Sequence, residues 1–370
     1  MRAGFLMINP LIPILKDYYR LNNAEISLLA GIPLICFAAT SLVMKQISNI
    51  GSTNRILTLA LTFLSVGLVG RAFTGVIGLY LFSFLIGIAI ATMNYMLPAW
   101  IKEYAPNASG MMTGVYVTLM GLCAAAAIAL SVPMATINSL KWRMAMLPWI
   151  FLVVVTAMFW WLKMPRNESS MKKESSHLWR SRAFRSPMAW GLVIFFGFES
   201  ASYYASATWL PTILHDKGYS LSGAGIAVSV SVVIGSLIGL VVPHYADKLP
   251  DQRLFLVLMA AFTGFAFFMM TVNSGALLIL WLCISNIGIS ISFPMALVLT
   301  VSKSTTPDAT RNLSTMMQSF GYLISAFGPA FAAMLFDLSK NWNIALYGIT
   351  GLCLVQLFAA IYVGKPSYVE

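Results

Sequence analysis

The chain has 370 residues, 59% of them apolar and only 9% charged, with a mean hydropathy of +0.81. Soluble domains carry roughly 25% charged residues, so a water-soluble fold is excluded. Apolar runs near the roughly 20 residues that cross a bilayer as a helix recur along the chain, and their continuity excludes an outer-membrane barrel, whose strands alternate with period two.

The net charge of +11 could suggest nucleic acid, but the positions of the basic residues give another reading. Seven of the 23, Lys163, Arg166, Lys172, Lys173, Arg180, Arg182 and Arg185, fall in one hydrophilic segment. Eight more, Lys45, Arg55, Lys102, Lys248, Arg253, Lys303, Arg311 and Lys365, lie on the same side when the runs are threaded alternately through a bilayer. The opposite side holds seven: Lys16, Arg20, Arg71, Lys141, Arg143, Lys217 and Lys340. This asymmetry predicts a cytoplasmic linker and carboxyl terminus, with the lipid bilayer and not nucleic acid as partner.

In chain order the apolar runs are 2–15, 25–44, 56–74, 76–98, 111–133, 144–162, 187–214, 224–243, 254–272, 276–301, 313–336 and 342–363, twelve in all. The first contains Arg2, Pro10 and Pro13 and closes at Lys16 and Asp17. The prolines, and the lack of a small-x-small cleavage pattern, argue against a signal peptide. As a helix, Arg2 to Lys16 covers about 21 Å, against about 15 Å for half a hydrocarbon core, so Arg2 is expected near the membrane centre. The span then requires about eight to twelve further apolar residues ahead of Met1.

The fourth run carries Asn94 and Pro98, the fifth Tyr116, the seventh Glu199, Tyr203, Trp209 and Pro211, the tenth Phe293 and Pro294, and the eleventh Gln318 and Pro329. Arg2 and Glu199 are the two ionisable residues deep in the runs, and intramembrane charges are functional candidates by default. A guanidinium matches planar oxyanions or nitro groups, which makes Arg2 a candidate ligand; its alternative is a structural counter-ion. Asn94 and Gln318 must bond another helix or a ligand, because an unpartnered amide in hydrocarbon is costly. Tyr116, Tyr203 and Trp209 offer rings for a planar solute or serve as packing. Phe293 and Pro294 read as a helix break near the cavity, with Pro98 and Pro211 in similar bending roles. Gly87, Gly110, Gly114, Gly121, Gly288, Gly321 and Gly328 suit close helix approach.

Cys36, Cys123, Cys283 and Cys353 are isolated within runs and read as packing residues. His177, His215 and His244 lie apart, so neither a metal site nor a catalytic triad is expected, and no phosphate-binding G-x-x-x-x-G-K-[ST] loop occurs. No cofactor is expected, an integral enzyme finds no acid and histidine cluster, and any driving force must be a gradient.

The polar stretch "KMPRNESSMKKESSHLWRSRAFRS" separates six runs from six. "IGIAIATMNYMLPAWIKEYAPNA" from Ile86 aligns without a gap on "IGISISFPMALVLTVSKSTTPDA" from Ile287, pairing Gly87 with Gly288, Lys102 with Lys303 and Pro106 with Pro307. Pro13 pairs likewise with Pro211. The expected fold is therefore an all-α polytopic membrane protein of twelve transmembrane helices in two parallel six-helix repeats, the arrangement of major facilitator transporters. Its parts are an N-terminal bundle 1–162, a cytoplasmic linker 163–186 and a C-terminal bundle 187–370.

With those elements in view, the chain resembles the cyanate and 2-nitroimidazole transporter family of the major facilitator superfamily. The similar elements are "MRAGFLMINPLIP", "GIAIATMNYMLPAWIK", "MTGVYVTLMG", "ASATWLP", "ADKLPDQR", "ISFPMAL" and "MMQSFGYLISAFGP". The loop "MKQISNIGSTNR" departs from the superfamily's Gly-x-x-x-Asp-Arg-x-Gly-Arg pattern. The resemblance implies a secondary active transporter working by alternating access on a small anion or compact polar organic solute, such as cyanate or a nitroimidazole-like compound. It also implies that spans one and seven face each other across a central cavity. Arg2 and Glu199, at nearly equivalent repeat positions, would pair there, with Glu199 the proton-coupling candidate. A small-molecule substrate, protons and a monomeric state are the further expectations. The alternatives are a proton-driven efflux pump for small toxic compounds and a non-transporting membrane sensor.

Overall fold

The computed structural model describes residues 3–48, 51–104, 109–137, 140–163, 182–246 and 251–367. Arg2 therefore lies outside the described residues, as do most of the 163–186 linker and the side chain of Pro98.

Hydrocarbon offers no partner for a free N–H or C=O, so a spanning chain must satisfy its backbone internally. The described residues do so as helices: α1 Ala3–Leu6, α2 Ile12–Tyr19, α3 Asn23–Ser48, α4 Thr53–Phe73, α5 Val76–Tyr104, α6 Ser109–Ala135 and α7 Leu147–Lys163. After the linker come α8 Pro187–Asp216, α9 Leu221–Ala246, α10 Arg253–Val272, α11 Gly275–Ser302, α12 Pro307–Ser339 and α13 Trp342–Val363. Ten helices among the described residues are long and apolar enough to cross a membrane. The other two crossings are the broken first span and α8, whose central "FESASYYASATW" lowers its hydropathy while its 30 residues reach about 45 Å.

The first span is where the sequence breaks its own helix. α1 stops at Leu6, a 3-10 turn covers Asn9–Leu11 with Pro10 inside it, and α2 starts again with Pro13 in its first turn. Proline lacks the N–H that an unbroken helix needs and is tolerated in a first turn. Elsewhere the helices run through their prolines: α8 through Pro211 and α11 through Pro294. Each such proline leaves the carbonyl four residues earlier without its helical donor, which at Pro294 is that of Ser290.

Two inter-half seams hold the molecule together, α3 on α12 and α6 on α9. The sequence repeat maps α3 onto α9 and α6 onto α12, so it exchanges one seam for the other. Both rely on small residues. A Cβ on Gly121 of α6 would lie 2.7 Å from Ser236 Oγ of α9, and one on Gly31 of α3 would lie 3.3 Å from the Ala326 carbonyl of α12. Around the seams, α4 packs on α5 and α7, while α8 packs on α12 and α13. The result is a multi-pass membrane architecture whose central space is bounded by both halves.

Candidate functional site

A cavity of about 110 Å³, room for several waters or one small organic molecule, opens between α6, α8, α9 and α11. Helix α8 supplies Glu199, Ser200, Tyr203 and Tyr204, consecutive turns of one face. Facing them, α11 supplies Asn286, Ile289, Ser290, Phe293 and Pro294. Met120, Gly121 and Ala124 of α6 and Val232, Ser236 and Gly239 of α9 complete the wall. Its closeness to α11 follows from glycines: a Cβ on Gly235 would lie 2.6 Å from the Asn286 carbonyl, and one on Gly239 would lie 2.5 Å from the Ser290 carbonyl.

Glu199 is only 2% exposed, and the Ser200 hydroxyl donates to its Oε2 at 2.8 Å. A carboxylate so placed is expensive unless hydrogen-bonded, and the serine offsets part of that cost. Asn286 donates through Nδ2 to Ser231 Oγ at 3.0 Å and to the Leu282 carbonyl at 3.2 Å, which fixes the amide at the wall. Tyr203 and Tyr204 meet edge to face with centroids 4.7 Å apart, and Tyr204 in turn meets Phe5 of α1 at 6.0 Å. Phe293 packs on Phe196 at 5.9 Å. The cavity thus offers an acceptor, an amide, hydroxyls and aromatic rings, the mixture that orients a small polar solute within apolar walls.

Of the residues singled out from sequence, the structure brings Glu199, Tyr203, Phe293 and Pro294 together here. Asn94 and Tyr116 pair with each other instead, Tyr116 Oη donating to Asn94 Oδ1 at 2.9 Å between α5 and α6. Gln318 donates to Ser314 Oγ at 3.0 Å along α12. These three are not among the described residues lining the cavity. Trp209 is fully buried, donates to the Pro329 carbonyl at 2.9 Å and packs on Trp342 at 5.2 Å, and Pro211 is buried two residues beyond it. Arg2 lies outside the described residues, so its pairing with Glu199 is not described.

Sequence reasoning missed Asn286, although it is a mid-run amide like Asn94, and missed the serines Ser236 and Ser290. It also counted Arg71 only toward the charge asymmetry, although that residue falls within the run 56–74. Arg71 is 1% exposed inside α4, and Lys303, 5% exposed, donates from Nζ to the Lys365 carbonyl. Beside it, outside the spans, hydrogen bonds from Arg253 to Asp251, at 2.6 Å from Nη2 to Oδ2, hold that carboxyl down at about 2.

The comparisons agree with this architecture. The chain is similar to the 2-nitroimidazole transporter of Escherichia coli (strain K12), 29% identical with 100% of this chain and 94% of the relative covered. It is 24% identical to the cyanate transport protein CynX of the same organism, covering 96% of this chain and 93% of the relative. Among solved structures, the D-xylose-proton symporter superposes with a TM-score of 0.81 at 14% identity, covering 99% of this chain and 96% of that one. The profile of the Major Facilitator Superfamily matches residues 1–329, and the chain belongs to that superfamily.

Proposed function

We propose that the chain is a secondary active transporter that moves a small anion or compact polar organic solute, of the cyanate or nitroimidazole kind, by alternating access through the Glu199 cavity. The observation that carries this reading is a buried carboxylate on α8 facing a buried amide on α11 across a space of about 110 Å³. Fold alone hosts many substrates, so the solute class rests on the site. The rings of Tyr203 and Tyr204 suit a planar molecule, the hydroxyls and the Asn286 amide suit its oxygen or nitrogen atoms, and the volume suits a compact one. The two named relatives, transporters of 2-nitroimidazole and cyanate, support that class.

In this reading residues 1–162 and 187–370 rock against each other along the α3–α12 and α6–α9 seams, joined by the cytoplasmic linker 163–186. The protein works as a monomer in the inner membrane. Arg2 faces the cavity beside Glu199 and holds an anionic group, and protonation of Glu199 releases its hold on the arginine.

The test is solute flux into proteoliposomes with labelled 2-nitroimidazole and labelled cyanate, for the parent and Asn286→Ala. Removing the amide should raise the half-saturating concentration about fivefold, the equivalent of one lost hydrogen bond of about 1 kcal/mol. Flux of neither solute, or flux insensitive to Asn286, would defeat the assignment of this cavity.

A further inference from the structure

Arg71 sits apart from that cavity. It projects from α4 near the end of the bundle opposite the linker, is 1% exposed, and donates from Nη2 to the Gly4 carbonyl where α1 stops. Its Nε has no hydrogen-bond partner, and no described carboxylate forms an ion pair with it. Glu25, next in sequence to the neighbouring Ile26, is engaged elsewhere, accepting the Asn22 N–H at 2.7 Å.

The guanidinium lines a second, smaller cavity of about 10 Å³ together with Asn9 and Ser83, themselves 3% and 1% exposed, and an otherwise apolar wall that includes Ile12, Ile26 and Leu29. A guanidinium stays charged and presents five donors. One neutral carbonyl accepts from it without cancelling its charge, and an uncompensated cation in so apolar a surrounding is costly. A single anion drawn from water would cancel it. The Asn9 amide and the Ser83 hydroxyl, now donating to the Leu79 carbonyl at 2.7 Å and free to rotate, would add two donors. The space holds about one water, which limits the occupant to a monatomic ion or the end of a narrow linear one.

We propose that Arg71, Asn9 and Ser83 form a binding site for one small monovalent anion, of halide size or the end of a linear triatomic ion, separate from the Glu199 cavity. Its occupant comes either from inorganic chloride or from a transported anion, and both have the same chemistry at the guanidinium.

Radiolabelled chloride is titrated into the purified full chain in lipid nanodiscs, with gluconate keeping ionic strength constant and cyanate added afterwards as competitor. The parent should bind about one chloride per chain, and Arg71→Gln should weaken this about tenfold or more, as expected for a lost charge-assisted contact. Displacement by cyanate assigns the site to the transported anion, and resistance to cyanate assigns it to a resident halide. Equal affinity in parent and folded Arg71→Gln overturns the proposal. So does binding lost in Glu199→Gln but kept in Arg71→Gln, which would put the ion in the larger cavity. Should Arg71→Gln fail to fold, Asn9→Ala and Ser83→Ala carry the test, since each removes one donor and keeps the charge. Weakening of about threefold to tenfold in each supports the site, and unchanged affinity in both overturns it. Because binding is read without flux, the outcome is independent of whether the Glu199 cavity transports.

Discussion

Glu199 and Arg71 are two ionisable side chains, each about 2% exposed or less, held in surroundings that disfavour charge, and their neighbours differ. Glu199 faces hydroxyls and an amide around a cavity of about 110 Å³, so a change in its protonation would be felt by whatever occupies that space. Glu199→Gln keeps the shape and leaves an oxygen to accept from Ser200. Solute affinity should therefore stay within about threefold of the parent, while stimulation of uptake by an imposed pH gradient should vanish. Uptake into proteoliposomes with and without that gradient reads both effects, and an unchanged pH response would make Glu199 structural. Glu199 was legible in the sequence because a lone acid in the middle of an apolar run has few bland explanations. Arg71 was not. It lies three residues from the end of its run, where a long basic side chain usually reaches back to water, and only the break in α1 shows that it turns inward to Gly4. Asn286 was hidden for another reason: a run does not say which of its polar residues faces the cavity.

Apolar runs located the helices because a bilayer imposes both length and polarity, yet most helices outrun their hydrophobic segments. α12 begins at Pro307, capped by Thr306 accepting from the Ala309 N–H at 3.2 Å, although its apolar run starts only at residue 313. Capping and turn chemistry, not hydropathy, set that end. Partner choice was less legible than span position. Gly110 and Gly114 stand four residues apart in the sequence and so do Gly235 and Gly239, but spacing alone does not name the facing helix, which for the second pair is α11. The pair also makes a prediction. Gly235→Ala would drive a methyl to 2.6 Å from the Asn286 carbonyl, so the helices must part, at a cost of about 1–3 kcal/mol that exceeds the gain of about 0.4–1 kcal/mol from a stiffer unfolded chain. Gly351→Ala on α13, where an added Cβ meets nothing within 4 Å, keeps that gain without the clash. Thermal denaturation in detergent should show a lower midpoint for the first and an equal or higher one for the second; the reverse order would refute the packing account.

On the scale of the whole molecule, the α3–α12 seam carries a polar tie at the end opposite the linker. There Lys16 donates to Asn23 Oδ1 at 2.7 Å, Asn23 Nδ2 donates to Asp337 Oδ1 at 2.5 Å, and Lys340 stands 3.8 Å from the same carboxylate. One turn deeper, Ser27 donates to the Pro329 carbonyl at 3.3 Å, and Trp209 reaches that same carbonyl from α8. Spans one, two, seven and eleven are thus tied at one end, as a closed gate would require if the halves rock about the central cavity. At the other end Tyr95 and Thr315 share a hydrogen bond of 2.8 Å between α5 and α12. Asp337→Ala removes the acceptor on which the tie depends. Because Asp337 is 43% exposed, its hydrogen bond is worth about 1 kcal/mol after solvent competition, enough to change the ratio of closed to open states about fivefold. Spin labels at Ala24 on α3 and Leu338 on α12, in a background with the four cysteines replaced, report the gap directly. The short-distance population of the parent should give way in part to a longer one in Asp337→Ala, and Asp337→Glu, which retains an acceptor, should restore much of the short population. If both variants give the parent's distribution, the polar tie follows the seam without holding it, and closure at this end rests on the Gly31 and Ala326 contact and the apolar packing beneath it.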